Sequence, residues 1–432
     1  MHEPRRVPVR RPLLAAAAAT AALALAAPLL GGCNLVNRML GKATVNLDKA
    51  EIKSMSVDIR KERKTICPRE PVQMAVFADV VLDGESQPKS YETWSGRDAN
   101  KNDKLDFVEF AFQSDLGQFD KEGFFAPRAD LLASADKEFA IRTVFKKQPD
   151  KFTFTTKYKP DYQCIKGGGH GGDAGNPGGS GQAGESGHDG QLGSDSQAGG
   201  TGSQGSAGGS GGDGGNGGPG PHVQAFATVV KTPYYDKLVA IKLTGEVEDF
   251  LLAPVDAPIV LRATGGPGGS GGNGGSGGRG GNGGGGNPGG QGGNGGQGGG
   301  GGRGGAGGPG GSIELVFDGR YPDLASAIKL DVSGGPGGEA GAGGGSGSGG
   351  SGGNGITPSG SSSPAPSGQH GSEGTHGPSG AAGKNGPDGH ASSHAGRAAD
   401  AFQGLAGITP LDGGGGVGGS GASAGKKGGG SK

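Results

Sequence analysis

Gly265-Gly266-Pro267-Gly268-Gly269-Ser270-Gly271-Gly272-Asn273 opens a tract in which glycine stands at every third position, without a break, through Gly310. Most of its triplets read Gly-Gly-X. A period of three matches neither the 3.6-residue helix nor the two-residue strand. It points to the left-handed helix of three residues per turn, which has no internal hydrogen bonds and must pair with neighbours or stay solvated. Composition alone would suggest a flexible Gly-Ser tether, but a random glycine-rich linker does not keep phase. Three more tracts do: Gly169 to Gly193, resuming after a skip at Ser196 from Gly199 to Gly220; Gly335 to Gly353; and Gly368 to Gly389.

Two architectures use such helices. A collagen triple helix needs proline-rich X and Y positions, and the Gly265 tract has only Pro267, Pro288 and Pro309, while its second glycine adds chain entropy. Polyglycine II helices packed in a two-layer slab suit Gly-Gly-X better, because bare faces let backbones exchange hydrogen bonds. Ser270, Asn273, Ser276, Arg279, Asn282, Gln291, Asn294, Gln297 and Arg303 would then line an outer face. The tract resembles the PGRS-type repeats of mycobacterial surface proteins and the slabs of glycine-rich arthropod antifreeze proteins. That resemblance covers the repeat only. The Gly169 and Gly368 tracts read Gly-X-Y and leave a collagen-like form open.

Apolar segments interrupt the glycine. Tyr234 to Leu243 matches Tyr321 to Leu330 at six of ten positions, each following a strand-like run, Phe226 to Val230 and Ile313 to Phe317. Leu261-Arg262-Ala263-Thr264-Gly265-Gly266-Pro267 likewise echoes Leu330-Asp331-Val332-Ser333-Gly334-Gly335-Pro336. The chain repeats a module of apolar strands followed by a glycine tract, with strand modules expected at 222–264 and 312–334 inside a glycine region at 167–356. Residues 357–432 read as a Gly/Ser-rich, mostly disordered tail.

Glycine makes up 105 of 432 residues and the formal net charge is −1, so nothing basic enough for nucleic acid is present. Trp94 and eleven of the fifteen phenylalanines precede residue 165, which places an aromatic-rich domain at 44–166. Its alternation over Val72 to Phe77, Phe107 to Phe112, Phe139 to Phe145 and Phe152 to Tyr158 predicts strands, and a small antiparallel β-sandwich. A short helix is expected over Arg128 to Lys137 with Pro127 in its first turn. The fold class is therefore mainly β: a sandwich, then a polyglycine II slab with interleaved strands, then a disordered tail.

At the N-terminus Arg5, Arg6, Arg10 and Arg11 precede an Ala/Leu run from Leu13 to Leu30, a charged region feeding an apolar one. The run ends in Leu30-Gly31-Gly32-Cys33, which resembles the lipobox of bacterial lipoproteins. The resemblance implies a signal peptide over 1–32, lipid on Cys33, a tether over 33–43, and a membrane partner through that anchor; an uncleaved transmembrane helix is the alternative. Asn34 is not the aspartate of inner-membrane retention, so the cell envelope at the outer membrane is the expected location, on either face. Cys67 and Cys164 remain as an even pair in an oxidising compartment and are expected to form a disulfide, against the alternative of two free thiols.

Asp98-Ala99-Asn100-Lys101-Asn102-Asp103-Lys104-Leu105-Asp106-Phe107-Val108-Glu109 resembles an EF-hand loop. The resemblance implies a Ca2+ site from the side chains of Asp98, Asn100, Asn102, Asp106 and Glu109 and the backbone of Lys104. The loop departs from the pattern in having Asp103 where the turn wants glycine, and a polar hairpin loop is the alternative. The histidines lie in or beside glycine tracts, no P-loop or HExxH is present, and no nucleophile–base arrangement stands out, so no enzyme is expected. The functional expectation is a structural or adhesive envelope lipoprotein presenting its glycine-rich surface to a polysaccharide or another cell surface, with self-association open. The rival is a calcium-dependent binding module on a flexible glycine spacer.

Overall fold

The computed structural model describes residues 44–59, 64–94, 99 and 103–412. The signal and tether segments, 1–32 and 33–43, lie outside them. Nine strands build the N-terminal domain: β1 (Glu51–Ile59), β2 (Thr65–Ile66), β3 (Val72–Val81), β4 (Lys89–Glu92), β5 (Phe110–Gln113), β6 (Gly117–Phe119), β7 (Phe124–Pro127), β8 (Phe139–Phe145) and β9 (Thr153–Pro160). One sheet runs β1-β3-β7-β6 with β4 on β3, the other β2-β9-β8-β5. Their inner faces share a core of Met74, Val76, Val80, Phe125, Phe139, Ile141 and Phe145, as period-two alternation requires.

Two local expectations change. Phe107–Glu109 is a 3-10 turn, because the Asp106 side chain accepts the Val108 N–H at 3.0 Å; the strand begins only at Phe110. The helix expected over Arg128 to Lys137 shrinks to a 3-10 turn at Leu131–Ser134. Pro127 is the last residue of β7 instead, and Asp130 caps the turn by accepting the Leu132 N–H.

Cys67 and Cys164 are joined, with their Cα atoms 6.1 Å apart. The bridge fixes the chain leaving this domain just before it enters the glycine region through β10 (Gly167–Gly169). Strands β11 (His222–Lys231), β12 (Leu238–Gly245), β13 (Asp249–Ala253), β14 (Ile259–Arg262), β15 (Ser312–Asp318), β16 (Ile328–Asp331), β17 (His390–Gly396) and β18 (Thr409–Pro410) complete the set.

Between these strands run six extended glycine helices: PG1 (170–193), PG2 (199–220), PG3 (265–285), PG4 (289–311), PG5 (334–355) and PG6 (368–389). At least one residue in three donates a hydrogen bond to a neighbouring helix, with the period that a three-residue turn dictates. Between PG1 and PG3, Gly175, Gly178 and Gly181 donate to the carbonyls of Pro267, Ser270 and Asn273 at 2.7–2.8 Å. Between PG3 and PG2, which run antiparallel, Gly269, Gly272 and Gly275 donate to Gly215, Gly212 and Gly209 at 2.8 Å. PG1, PG3 and PG5 form one parallel layer; PG2, PG4 and PG6 form the second, running the other way. The unbroken glycine phase of the 265–310 tract hides a reversal, since the chain turns at 285–288 and the tract forms two helices.

Glycine content follows the number of neighbours. PG1 and PG6, at the edges, bond to two helices and need one glycine per triplet; PG3 and PG4, inside, bond to four and need two. A Cβ on Gly275 would lie 1.8 Å from the Gln182 carbonyl oxygen, and one on Gly274 would lie 2.1 Å from that of Gly299. The Gly-X-Y tracts, left open as collagen-like, are thus PG1 and PG6 of the same slab. In PG2 the site is looser: a Cβ on Gly209 would approach no closer than 3.1 Å. Serine stands at the equivalent positions 203 and 206, where its hydroxyl accepts the N–H of His188 and of Glu185 at 2.6 Å.

The two layers grow out of two sheets. The parallel sheet β10-β14-β16 feeds the first layer, and β11, β15 and β17, parallel within the sheet β13-β12-β11-β15-β17, receive the second. Ile259, Leu261 and Ile328 of one sheet and Ala225, Ile241 and Leu315 of the other share a core that also takes Leu131, Ala135, Tyr162 and Ile165 from the N-terminal domain. The Leu261 and Leu330 echoes are neighbours in register, and Gly268 donates to Pro336 at 2.9 Å. The Tyr234 and Tyr321 copies diverge: Leu238 and Val239 are buried in β12, whereas their counterparts Ala325 and Ser326 are exposed in a short helix, Leu324–Ala327, ahead of β16.

The tail boundary moves from 357 to 412. PG6 donates to PG5 along its length, β17 extends the sheet, and Phe402 is fully buried. Residues 413–432 lie outside the described ones. At the far end the three turns are tied together: Asn287 donates from its backbone to Gln197 at 2.8 Å and from Nδ2 to the Asp195 carbonyl at 2.7 Å, and Ser359 donates to the Asp195 carboxylate.

Two predictions follow from this packing. Gly275→Ala should lower stability in urea melts by about 3 kcal/mol or more, as a methyl forced onto a carbonyl must separate two helices. Gly345→Ala, whose Cβ would meet nothing within 4 Å, should stay within about 1 kcal/mol of the parent. At the end of β15, burial pushes the Asp318 carboxyl up, but hydrogen bonds from Arg320 and from Thr228, the latter at 2.7 Å, hold it below the ordinary aspartate range. A depressed native value means stability present above pH about 4 and lost as pH falls through that lower value. Arg320→Gln should flatten this part of the pH profile in urea melts collected between pH 2 and 6.

Candidate functional site

The slab's outer surfaces are built by the X positions, since only those side chains point away from neighbouring backbones. The reversal at 285–288 divides the expected face in two. Ser270, Asn273, Ser276, Arg279 and Asn282 project from PG3 on one side, and Gln291, Asn294, Gln297 and Arg303 from PG4 on the other. All are exposed except the half-buried Asn282.

The three asparagines among these side chains are held by the next helix. Asn273 Oδ1 accepts the Ala342 N–H at 2.9 Å, Asn294 Oδ1 accepts that of Ser372 at 2.9 Å, and Asn282 Oδ1 accepts that of Ser351 at 3.0 Å. Carboxylates serve the same purpose: Asp189 Oδ1 accepts the Asn282 N–H at 2.6 Å and Asp213 Oδ1 that of Arg303 at 2.7 Å. Each such bond satisfies an outward N–H that no helix reaches and lays the side chain flat. The result is two ranks of amides, hydroxyls and guanidiniums, the asparagines fixed, repeating about every 9 Å along each helix, with no Phe, Tyr or Trp in any of the six.

Of the EF-hand-like loop, Asp98, Asn100 and Asn102 lie outside the described residues. Lys104 bridges to Thr44 and Glu92 through its backbone. Asp106 caps the 3-10 turn, and the Glu109 carboxylate lies 3.1 Å from Lys147 Nζ, which also bonds Asp48 at 2.5 Å. In this arrangement Asp106 is occupied by the Val108 N–H and Glu109 by Lys147. Among the described residues, the histidine, cysteine and carboxylate groups close enough to share a metal are confined to Cys67, Glu70 and Cys164, whose sulfurs are bonded to each other.

Two features escaped the sequence reading. One is the tied tip at the far end of the slab, which carries exposed Leu192 and Ile356. The other is a cleft where the N-terminal domain meets the base sheets, assembled from Arg69, Lys166, Arg262 and Lys329; those residues are too far apart in sequence to signal one another.

No protein-family model matches the chain, and comparison with curated proteins and with solved structures gives no match. Among the described residues, no helix is long and apolar enough to cross a membrane.

Proposed function

We propose that the protein is a structural or adhesive lipoprotein of the cell envelope, anchored through lipid on Cys33, that holds its glycine slab out as a rigid presenting surface. The observation that carries this reading is hydrogen bonding between helices along the whole slab. Six helices of about 22 residues, at about 3.1 Å per residue, give a plate roughly 65 Å long. A flexible spacer would need none of these bonds, and a plate tied at its tip and sharing a core with the N-terminal domain transmits position and force.

The polar ranks supply the chemistry of contact. The fixed asparagine amides lose little side-chain entropy on binding, and an array of weak, evenly spaced hydrogen-bonding groups suits a repetitive partner such as a polysaccharide through multivalency. With no Phe, Tyr or Trp on the slab, recognition would rest on hydrogen bonds and charge. The outer membrane is the proposed location.

Deleting the slab is a poor test, because Leu131, Ala135, Tyr162 and Ile165 would lose the core they share with it. The direct test leaves the backbone intact and replaces Gln291, Asn294, Gln297 and Arg303 with serine on one face, and Asn273, Ser276 and Arg279 with alanine on the other. Cell retention on polysaccharide-coated surfaces should fall at least about tenfold for one of the two faces, with unchanged thermal melting. Retention unaffected by both sets would refute adhesion through the slab faces. Cys33→Ser should release the protein from the membrane fraction, and continued membrane association would count against the lipid anchor.

A further inference from the structure

We propose that the cleft between the N-terminal domain and the slab base binds a phosphate-bearing ligand of headgroup size, either a lipid headgroup or a soluble phosphate ester. The cleft has a volume of about 650 Å³ and takes Arg69 from the loop after β2, Lys166 from the residue before β10, Arg262 from β14 and Lys329 from β16. Two carboxylates accompany these four cations, and each is already paired: Asp249 with Arg69, and Asp331 with Arg262 at 3.9 Å. Lys166 and Lys329 have no carboxylate within ion-pair distance among the described residues. Positive charge in the cleft is therefore in excess, in a concave space that focuses it.

The floor is as particular as the walls. Strand register sets Gly167 beside Val260 and Val260 beside Lys329, and sets Gly169 beside Arg262 and Arg262 beside Asp331. A Cβ on Gly167 would lie 2.1 Å from the Val260 carbonyl oxygen, and one on Gly169, where φ is +77°, 2.2 Å from that of Arg262. The β10 side of the cleft is thus bare backbone by steric necessity, open to a group broader than one side chain.

Arg69 is the least exposed of the four cations. Its guanidinium donates through Nη2 to Asp249 and, at 3.1 Å, to the Phe250 carbonyl, yet its buried Nε has no hydrogen-bond partner among the described residues. That nitrogen is shut off from solvent, so what Arg69 offers an entering anion is the positive charge of its guanidinium, held at the wall by Asp249 and Phe250. Guanidinium and ammonium groups converging on one space suit an oxyanion with several acceptor oxygens. The volume exceeds a single phosphate and falls in the range of small-ligand sites.

The test is calorimetric titration of inorganic pyrophosphate into the intact protein at low ionic strength. One equivalent should bind, more weakly as salt is added. Lys166→Glu with Lys329→Glu should weaken binding at least about tenfold, while the charge-matched control Lys121→Glu with Lys237→Glu should leave it unchanged. Absence of binding by the parent protein, which needs no variant to interpret, would overturn the site; so would equal losses in both double variants, since bulk charge would then explain the attraction. Flotation with phosphatidic acid vesicles against phosphatidylcholine vesicles separates the sources. Binding to the acidic vesicles that the cleft variant abolishes identifies a lipid headgroup, and pyrophosphate binding without vesicle binding identifies a soluble ester.

Discussion

Two backbones can come close enough to exchange hydrogen bonds through a helix face only if no Cβ stands between them, and the rest of this molecule depends on that contact. In PG3 the oxygens of neighbouring chains lie about 2 Å from where side chains would begin, on both of its glycine faces. That approach supplies partners for extended backbone that cannot bond to itself. It also makes the plate nearly all main chain, with side chains relegated to the surface.

The same contact needs ends. Glycine loses more conformational freedom on ordering than any other residue, and triplets with two glycines bring no apolar surface to offset that loss. The base sheets supply what the slab lacks. β10, β14 and β16 deliver the chain to one layer in parallel register, and β11, β15 and β17 collect it from the other. Adjacent strands and adjacent helices bear the same neighbour relations, so pairing set in the sheets continues into the slab. Parallel strands must be joined by a crossover; here each crossover runs through a glycine hairpin and a strand of the other sheet.

Much of this was legible in the residues. The phase of glycine indicated the slab, the Leu261 and Leu330 echo marked strands that lie side by side, and the aromatic density before residue 165 bounded the sandwich. What escaped did so for physical reasons. Period three carries no direction, so a helix that reverses at Asn287 without losing phase looks like a single helix and its X residues like a single face. The Tyr234 and Tyr321 copies share six residues, but Leu238 and Val239, two of the buried residues of β12, are among those that differ. PG6 falls within the Gly/Ser-rich stretch 357–432, and its one glycine in three, which also suits a collagen-like form, is what an edge helix with two neighbours requires. The cationic cleft has no local signature, since topology alone brings Arg69 and Lys329 together.

Residue-resolved amide hydrogen exchange across 265–311 probes the slab most directly. In PG3 the two glycines of each triplet donate to other helices, whereas the N–H groups of Ser270, Asn273 and Ser276 point outward without a backbone acceptor. Exchange should therefore follow a period of three, two amides slowed by at least about a hundredfold and the third fast. Uniform exchange at random-coil rates through this segment would contradict the hydrogen-bonded slab and, with it, a rigid presenting surface.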